Sequence, residues 1–94
     1  MSSRKLVFLK SFDKSFKKFV KGNYVLQENI EKTLRLMEAD VFAPTLKAHK
    51  LSGKLLGLIA CSCGYDCRII FSIEKHSGHE VILLIDIGTH DEIY

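Results

Sequence analysis

Tryptophan is absent from this 94-residue chain, proline occurs once, and cysteine three times. Three cysteines cannot all pair within one chain. With no export signal to read, the expectation is a reduced, cytosolic protein. The opening MSSRKLVFLKSFDK returns to charge too soon for the apolar region of a secretory signal. Long apolar runs are missing too: the longest, residues 81–85, has strand length and falls far short of the roughly 18 residues of a membrane span. Scarce proline with 47% apolar and 27% charged residues excludes disordered and collagen-like chains. No internal repeat, linker or low-complexity tract divides the sequence, so residues 1–94 are expected to form one domain.

Acidic residues are scarce in the first half. Residues 1–50 carry 11 Lys/Arg against 5 Asp/Glu, whereas residues 51–94 carry 3 against 6. A basic half suits an anionic partner, nucleic acid first, or is simply a solvated helix surface.

Residues 5–9 are short, apolar and β-branched, which predicts a strand. Ser11 offers an N-cap to a helix over 11–21, with Asp13 in its first turn. Phe12, Phe16 and Phe19 fall on one stripe, and Lys14, Lys17, Lys18 and Lys21 cover the rest. Gly22 reads as the glycine that ends the helix. Leu26, Ile30, Leu34 and Met37 predict a second helix over 23–39, supported by Glu28/Lys32 and Glu31/Arg35 pairs. A loop with Pro44 and a turn over 49–53 lead to strands over 55–61, 67–73 and 80–87, the last two joined by a turn at 75–79. The short connections favour antiparallel pairing. The result is an α+β domain of order β-α-α-β-β-β, with a helical hairpin on one face of a mainly antiparallel sheet. Ile69, Phe71 and alternate residues of 81–87 should line its apolar face.

Chemistry-bearing residues cluster at turns and strand ends: His49, the Tyr65-Asp66-Cys67-Arg68 group, and the tail from Gly88 to Tyr94. Arg68 interrupts an apolar strand. It must emerge on a wet face, either to pair with a carboxylate or to hold phosphate as a guanidinium fork. His90 is suited to proton transfer or is merely solvated. Tyr94 packs on the sheet, frays, or stacks on a base. Cys61, Cys63 and Cys67 could take His49 or His90 as a fourth metal ligand, but they lack paired C-x2-C spacing, so filling of strand interiors is favoured.

The segments AHKLSGKLLG, GYDCRIIF and IGTHDEIY, in this element order, resemble the RelE/ParE superfamily of toxin–antitoxin toxins. The likeness is greatest to YafQ-like and RelE/StbE-type messenger-RNA interferases. The resemblance implies the RelE-like microbial RNase fold and a ribosome-dependent endoribonuclease. It would cut messenger in the A site without a metal or other cofactor, leaving a 2′,3′-cyclic phosphate. It implies a cognate antitoxin as partner, the ribosome with its messenger and ribosomal RNA as target, and no membrane. It also assigns catalytic positions: His49, Asp66, Arg68, His90 and Tyr94. Lys14, Lys17, Lys18, Lys21, Lys47, Lys50 and Lys54 would meet RNA or ribosome. Ser62 stands where YafQ-like toxins can carry another histidine, and Cys67 where they can carry a stacking Trp. A ParE-like gyrase poison shares the fold, but the set His49, Asp66 and His90 argues against it. The other alternative is a non-enzymatic α+β binding module.

Overall fold

The computed structural model describes residues 4–93. Strand β1 (Lys5–Phe8) leads into helices α1 (Lys10–Val20) and α2 (Tyr24–Ala39). A 3-10 turn at Pro44–Leu46, strand β2 (His49–Lys50) and a second 3-10 turn at Gly53–Leu55 follow. Strands β3 (Ile59–Ser62), β4 (Arg68–His76) and β5 (His79–Gly88) and the short helix α3 (His90–Ile93) complete the chain. The expected order is therefore present with two additions. His49–Lys50 is a short strand rather than part of a turn, and the tail ends in a helix. Leu55 ends a 3-10 turn (Gly53–Leu55), and the strand expected over 55–61 begins only at Ile59.

The five strands lie in the order β1-β5-β4-β3-β2. All neighbours are antiparallel except β1, which runs parallel to β5. Strands β4 and β5 meet in a two-residue hairpin at Ser77-Gly78, both at positive φ (52° and 81°), as the type I′ turn requires.

One sheet face carries the core. Ile69, Phe71, Ile82, Leu84 and Ile87 pack with Phe12 and Val20 of α1 and Ile30, Leu34 and Met37 of α2. Strict alternation along 81–87 would have put Asp86 in this layer. Instead the register steps from Ile70 opposite Asp86 to Phe71 opposite Leu84, so Ile85 is a bulge residue. The phase change turns Asp86 outward and Ile87 inward, sparing the core an unpaired carboxylate.

The bulge also explains Ser11. Strand β1 pairs only with residues 81–84, so the Ile85 carbonyl lies beyond its reach. The Ser11 hydroxyl donates to that carbonyl at 2.6 Å. Ser11 is thus inside α1 rather than its N-cap, and Leu9 at the cap position supplies no side-chain bond. Asn23 does cap α2, accepting from the Leu26 N–H at 3.0 Å. Among the described residues the acidic–basic side-chain contacts within ion-pair distance are Arg4–Glu80 and His90–Asp91, so Glu28/Lys32 and Glu31/Arg35 do not close; Glu31 accepts from Gln27 instead.

Candidate active site

The register sets the site on the sheet face opposite the helices. Residues directly opposed across strands share a face, which aligns His49, Ala60, Ile70 and Asp86 in one row. Two residues along, Ser62, Arg68 and Gly88 form the next row. Cys61 and Ile69, between the rows, point into the core.

An open cleft of about 740 Å³ lies over these rows, lined by Lys47, His49, Ser62, Gly64, Tyr65, Asp66 and Arg68. Three of the five expected catalytic residues therefore share one cavity. Arg68 is half-buried, and its Nη1 donates to the Cys67 carbonyl at 2.9 Å. No carboxylate pairs with it among the described residues, so the sheet-surface salt bridge is not formed. A guanidinium anchored at one nitrogen keeps its other donors for a ligand.

His49 is oriented by its own neighbour. Its Nδ1 lies 3.1 Å from the Lys47 carbonyl, which can only accept. Nδ1 therefore carries the proton, and in the neutral ring Nε2 keeps a lone pair. Lys47 sits at φ 51°, and this left-handed turn brings its carbonyl to the ring.

His90 follows β5 two residues after Gly88, which lies opposite Arg68. It does not line the cleft, but its backbone N–H donates to Asp66 Oδ1 at 3.3 Å. Its Nδ1 lies 3.8 Å from Asp91 Oδ1. Helix α3, which begins at His90, closes with a reciprocal cap: Thr89 N–H donates to Glu92 Oε1 (2.9 Å) and Glu92 N–H to Thr89 Oγ1 (3.2 Å). Tyr94 lies outside the described residues.

The cysteines depart from expectation. Cys63 and Cys67 are joined in a disulfide, and only Cys61 is free. The pair brackets Gly64, Tyr65 and Asp66, so it straps the loop that carries the acidic residue. Cys67 is fully buried, so its side chain does not line the cleft. Burial pushes the Cys61 thiol up to about 12, opposed by the positive charge of Arg68. Its Sγ rests 3.8 Å from Met37 Sδ. No group of three His, Cys, Asp or Glu side chains among the described residues is placed to hold a metal ion.

The expected RNA-contacting lysines divide. Lys47 lines the cleft, and Lys50 and Lys54 are exposed on β2 and the adjoining 3-10 turn. Lys14, Lys17, Lys18 and Lys21 extend from α1 in the layer behind the sheet, and of these Lys18 lines a second depression with Ser15, Thr89 and Glu92. No described helix is long and apolar enough to cross a membrane.

Against known proteins, a family model described as a bacterial toxin of type II toxin–antitoxin systems, YafQ, matches residues 4–94. The fold is similar to that of YafQ from E. coli (TM-score 0.78, 14% identity, 97% of this chain and 98% of that one). It is similar to YafQ in the E. coli DinJ–YafQ toxin–antitoxin complex (TM-score 0.76, 15% identity, 99% of both chains). A YoeB/ParE toxin from Agrobacterium tumefaciens also shares it (TM-score 0.74, 19% identity, 92% of this chain and 98% of that one). At these identities the likeness concerns the fold. No curated protein sequence matches.

Proposed function

This chain belongs to the YafQ family of type II toxin–antitoxin toxins, and on that premise we propose that it is a ribosome-dependent endoribonuclease that cuts messenger in the A site and so stops translation. The observation that carries the reading is the cleft that gathers His49, Asp66 and Arg68, tied through Asp66 to the backbone of His90.

Phosphodiester transesterification needs a base, an acid and positive charge at the pentacoordinate phosphorus. In the proposed reaction His49 Nε2 takes the proton of a 2′-hydroxyl. The freed oxygen bonds to the adjacent phosphorus, the bond from phosphorus to the 5′-oxygen breaks, and His90 protonates the leaving oxygen. The products are a 2′,3′-cyclic phosphate and a free 5′-hydroxyl. Arg68 stabilises the charge on the phosphoryl oxygens, and Asp66 orients the His90 end of the site. No step calls on a metal or other cofactor.

A few exposed groups in an open cleft hold little of a substrate in place. Positioning is worth about 7–11 kcal/mol when supplied in full, and the ribosome is the natural source of it. Lys47, Lys50 and Lys54 would then meet messenger or ribosomal RNA beside the cleft, and Lys14, Lys17, Lys18 and Lys21 a separate RNA surface behind the sheet. Those four lysines are also a surface for an acidic cognate antitoxin, the second partner; E. coli YafQ forms a toxin–antitoxin complex with DinJ. The site of action is cytoplasmic, and residues 1–94 act as a single domain. Purified chain, programmed ribosomes and end-mapping of the messenger test the reading. Cleavage on ribosomes with little cleavage of free RNA is expected; equal rates on both, or poisoning of DNA gyrase without RNA cleavage, would contradict it.

A further inference from the structure

Tyr65 is the most exposed aromatic ring among the described residues. It is 101% exposed, against 74% for Tyr24 and 46% for Phe8. Phe8, Phe12 and Phe16 pack on one another, with ring centroids 5.7 and 6.0 Å apart. A fully wet ring gains nothing from burial, so folding does not account for it.

Its backbone, in contrast, is firmly held. Residues 64–66 lie between the bonded pair Cys63 and Cys67. Cys63 N–H donates to the Cys67 carbonyl (3.0 Å) and Cys67 N–H to the Gly64 carbonyl (3.3 Å). Gly64 at φ 128° and Asp66 at φ 51° turn the chain sharply on either side of the ring. The ring thus projects from a strapped loop at the wall of the cleft that holds Lys47, His49 and Arg68.

An exposed aromatic beside cations, on a backbone already ordered, matches how single-stranded nucleic acid is bound: cations track the phosphates and a ring takes a base. Tyrosine suits the task because it has two side-chain torsions to immobilise. The polar cleft wall next to the ring favours a nucleotide over an apolar protein anchor. We propose that Tyr65 is a base-stacking residue, receiving the base of a nucleotide whose phosphate lies against Arg68. The proposal rests on reading the cleft as an RNA site, and it names a contact that would hold the base in place.

The probe is a six-nucleotide RNA bearing one 2-aminopurine and 2′-O-methyl groups, which removes the attacking hydroxyl. Quenching of the 2-aminopurine reports stacking directly, without cleavage. Wild type and Tyr65→Phe should quench it. Tyr65→Leu should lose the quench and bind roughly 5- to 150-fold more weakly, the range that loss of one stacked base allows. Tyr24→Leu, at a ring outside the cleft, should behave as wild type, and circular dichroism checks the fold of each variant. On programmed ribosomes Tyr65→Leu should raise the half-saturating ribosome concentration. Tyr65→Leu that quenches and binds as wild type overturns the proposal, as does wild type that does not quench. If Tyr65→Leu weakens only antitoxin capture, the ring is a protein anchor and the proposal fails. Quenching that depends on Tyr65 in a protein that cuts nothing would leave the stacking site standing and remove the endoribonuclease reading. Cleavage that is indifferent to Tyr65 would do the reverse.

Discussion

The Asp66 carboxylate accepts the backbone N–H of His90 at 3.3 Å, joining two residues 24 positions apart. The bond ties the loop before β4 to the first residue of α3, so the cleft and the C-terminal histidine are set by one contact. Asp66 tolerates its φ of 51° because a short carbonyl-bearing side chain is among the few that visit the left-handed region. Asp66→Asn keeps both the acceptor oxygen and this conformational tolerance and removes only the charge. If Asp66 orients through the hydrogen bond alone, Asp66→Asn should cut at near wild-type rate. If it transfers a proton, the rate should fall about 10²- to 10⁴-fold. The first outcome is expected from the geometry, since the carboxylate is committed to His90. Single-turnover cleavage on programmed ribosomes decides between them.

Arg68 and His90 carry the largest expected losses. His90→Ala should lower the cleavage rate by about 10²- to 10⁴-fold as a lost proton donor. Arg68→Ala should cost roughly 10²- to 10³-fold, by analogy with loss of an oxyanion donor. Arg68→Lys should recover part of the loss, because an ammonium restores charge but not the planar fork. Neither residue belongs to the core layer, so circular dichroism and the unfolding midpoint should stay close to wild type. A folded, fully active variant at either position would remove that residue from the mechanism.

Reducing the Cys63–Cys67 bond should loosen the loop that presents Tyr65 and Asp66. The closed ring spans only four positions, so chain entropy assigns it about 2 kcal/mol of stability. Cys63→Ser with Cys67→Ser should lower denaturant stability by about that amount and slow cleavage. A dithiol reductant should do the same to wild type and nothing further to the double variant. Equal stability with and without reductant would show that the strap contributes nothing.

Cys61 makes an alkaline prediction. Burial raises its thiol to about 12 in the folded chain from 9.0. The unfolded chain therefore ionises first as pH rises. The thiol's contribution is intact below about pH 9 and is lost progressively between about 9 and 12. The unfolding free energy measured over that window should fall less steeply in Cys61→Ala than in wild type, whatever the two stabilities at neutral pH. At pH 8 the native thiolate is about 10³-fold scarcer than at an ordinary cysteine, so iodoacetamide should spare it until the protein unfolds.

Much of the fold was legible because side-chain period reports the buried face. The stripe Phe12, Phe16, Phe19 and the repeat Leu26, Ile30, Leu34, Met37 placed both helices within a residue or so of their ends. What escaped depends on partners distant in sequence. The bulge at Ile85 is set by pairing with β4 and by Ser11, so alternation alone misassigns Asp86 and Ile87. Strand β2 is two residues long and exists only because β3 lies beside it. For the site, residue type and position at turns singled out His49, Asp66 and Arg68, and the fold gathers them in one cleft. Charge alone singles out the α1 lysines, and charge says nothing about which side of the sheet carries them. An odd cysteine count argues for reduced thiols and so hides the disulfide, although a separation of four permits the bridge. Helix α3 had a readable signal in Thr89-His90-Asp91-Glu92, which is a T-x-x-E capping box.

That capping box supports the last prediction, because it sets where His90 stands. With only four residues, α3 has little helical stability of its own. It is held by the Thr89–Glu92 reciprocal bonds, by Asp66 on the His90 N–H, and by close approach to β5. A Cβ added at Gly88 would meet Glu92 Oε1 at 3.1 Å and Glu92 Cβ at 3.4 Å, so the helix packs where glycine leaves room. Thr89→Ala removes one half of the box, a change worth about 0.5–2 kcal/mol at a helix cap. That is enough to fray a single-turn helix while leaving the core untouched. His90 would then keep its chemistry but lose its place, and misplacement of a catalytic group by about 1 Å can cost about 10²-fold. Thr89→Ala should accordingly slow single-turnover cleavage and speed amide hydrogen exchange in the tail without moving the global unfolding midpoint. Thr89→Ser, which keeps the hydroxyl, should restore both. A merely structural role for Thr89 would lower the midpoint and spare the rate of the folded enzyme. If Thr89→Ala frays α3 and cleavage is unchanged, His90 does not need this helix to reach the scissile bond.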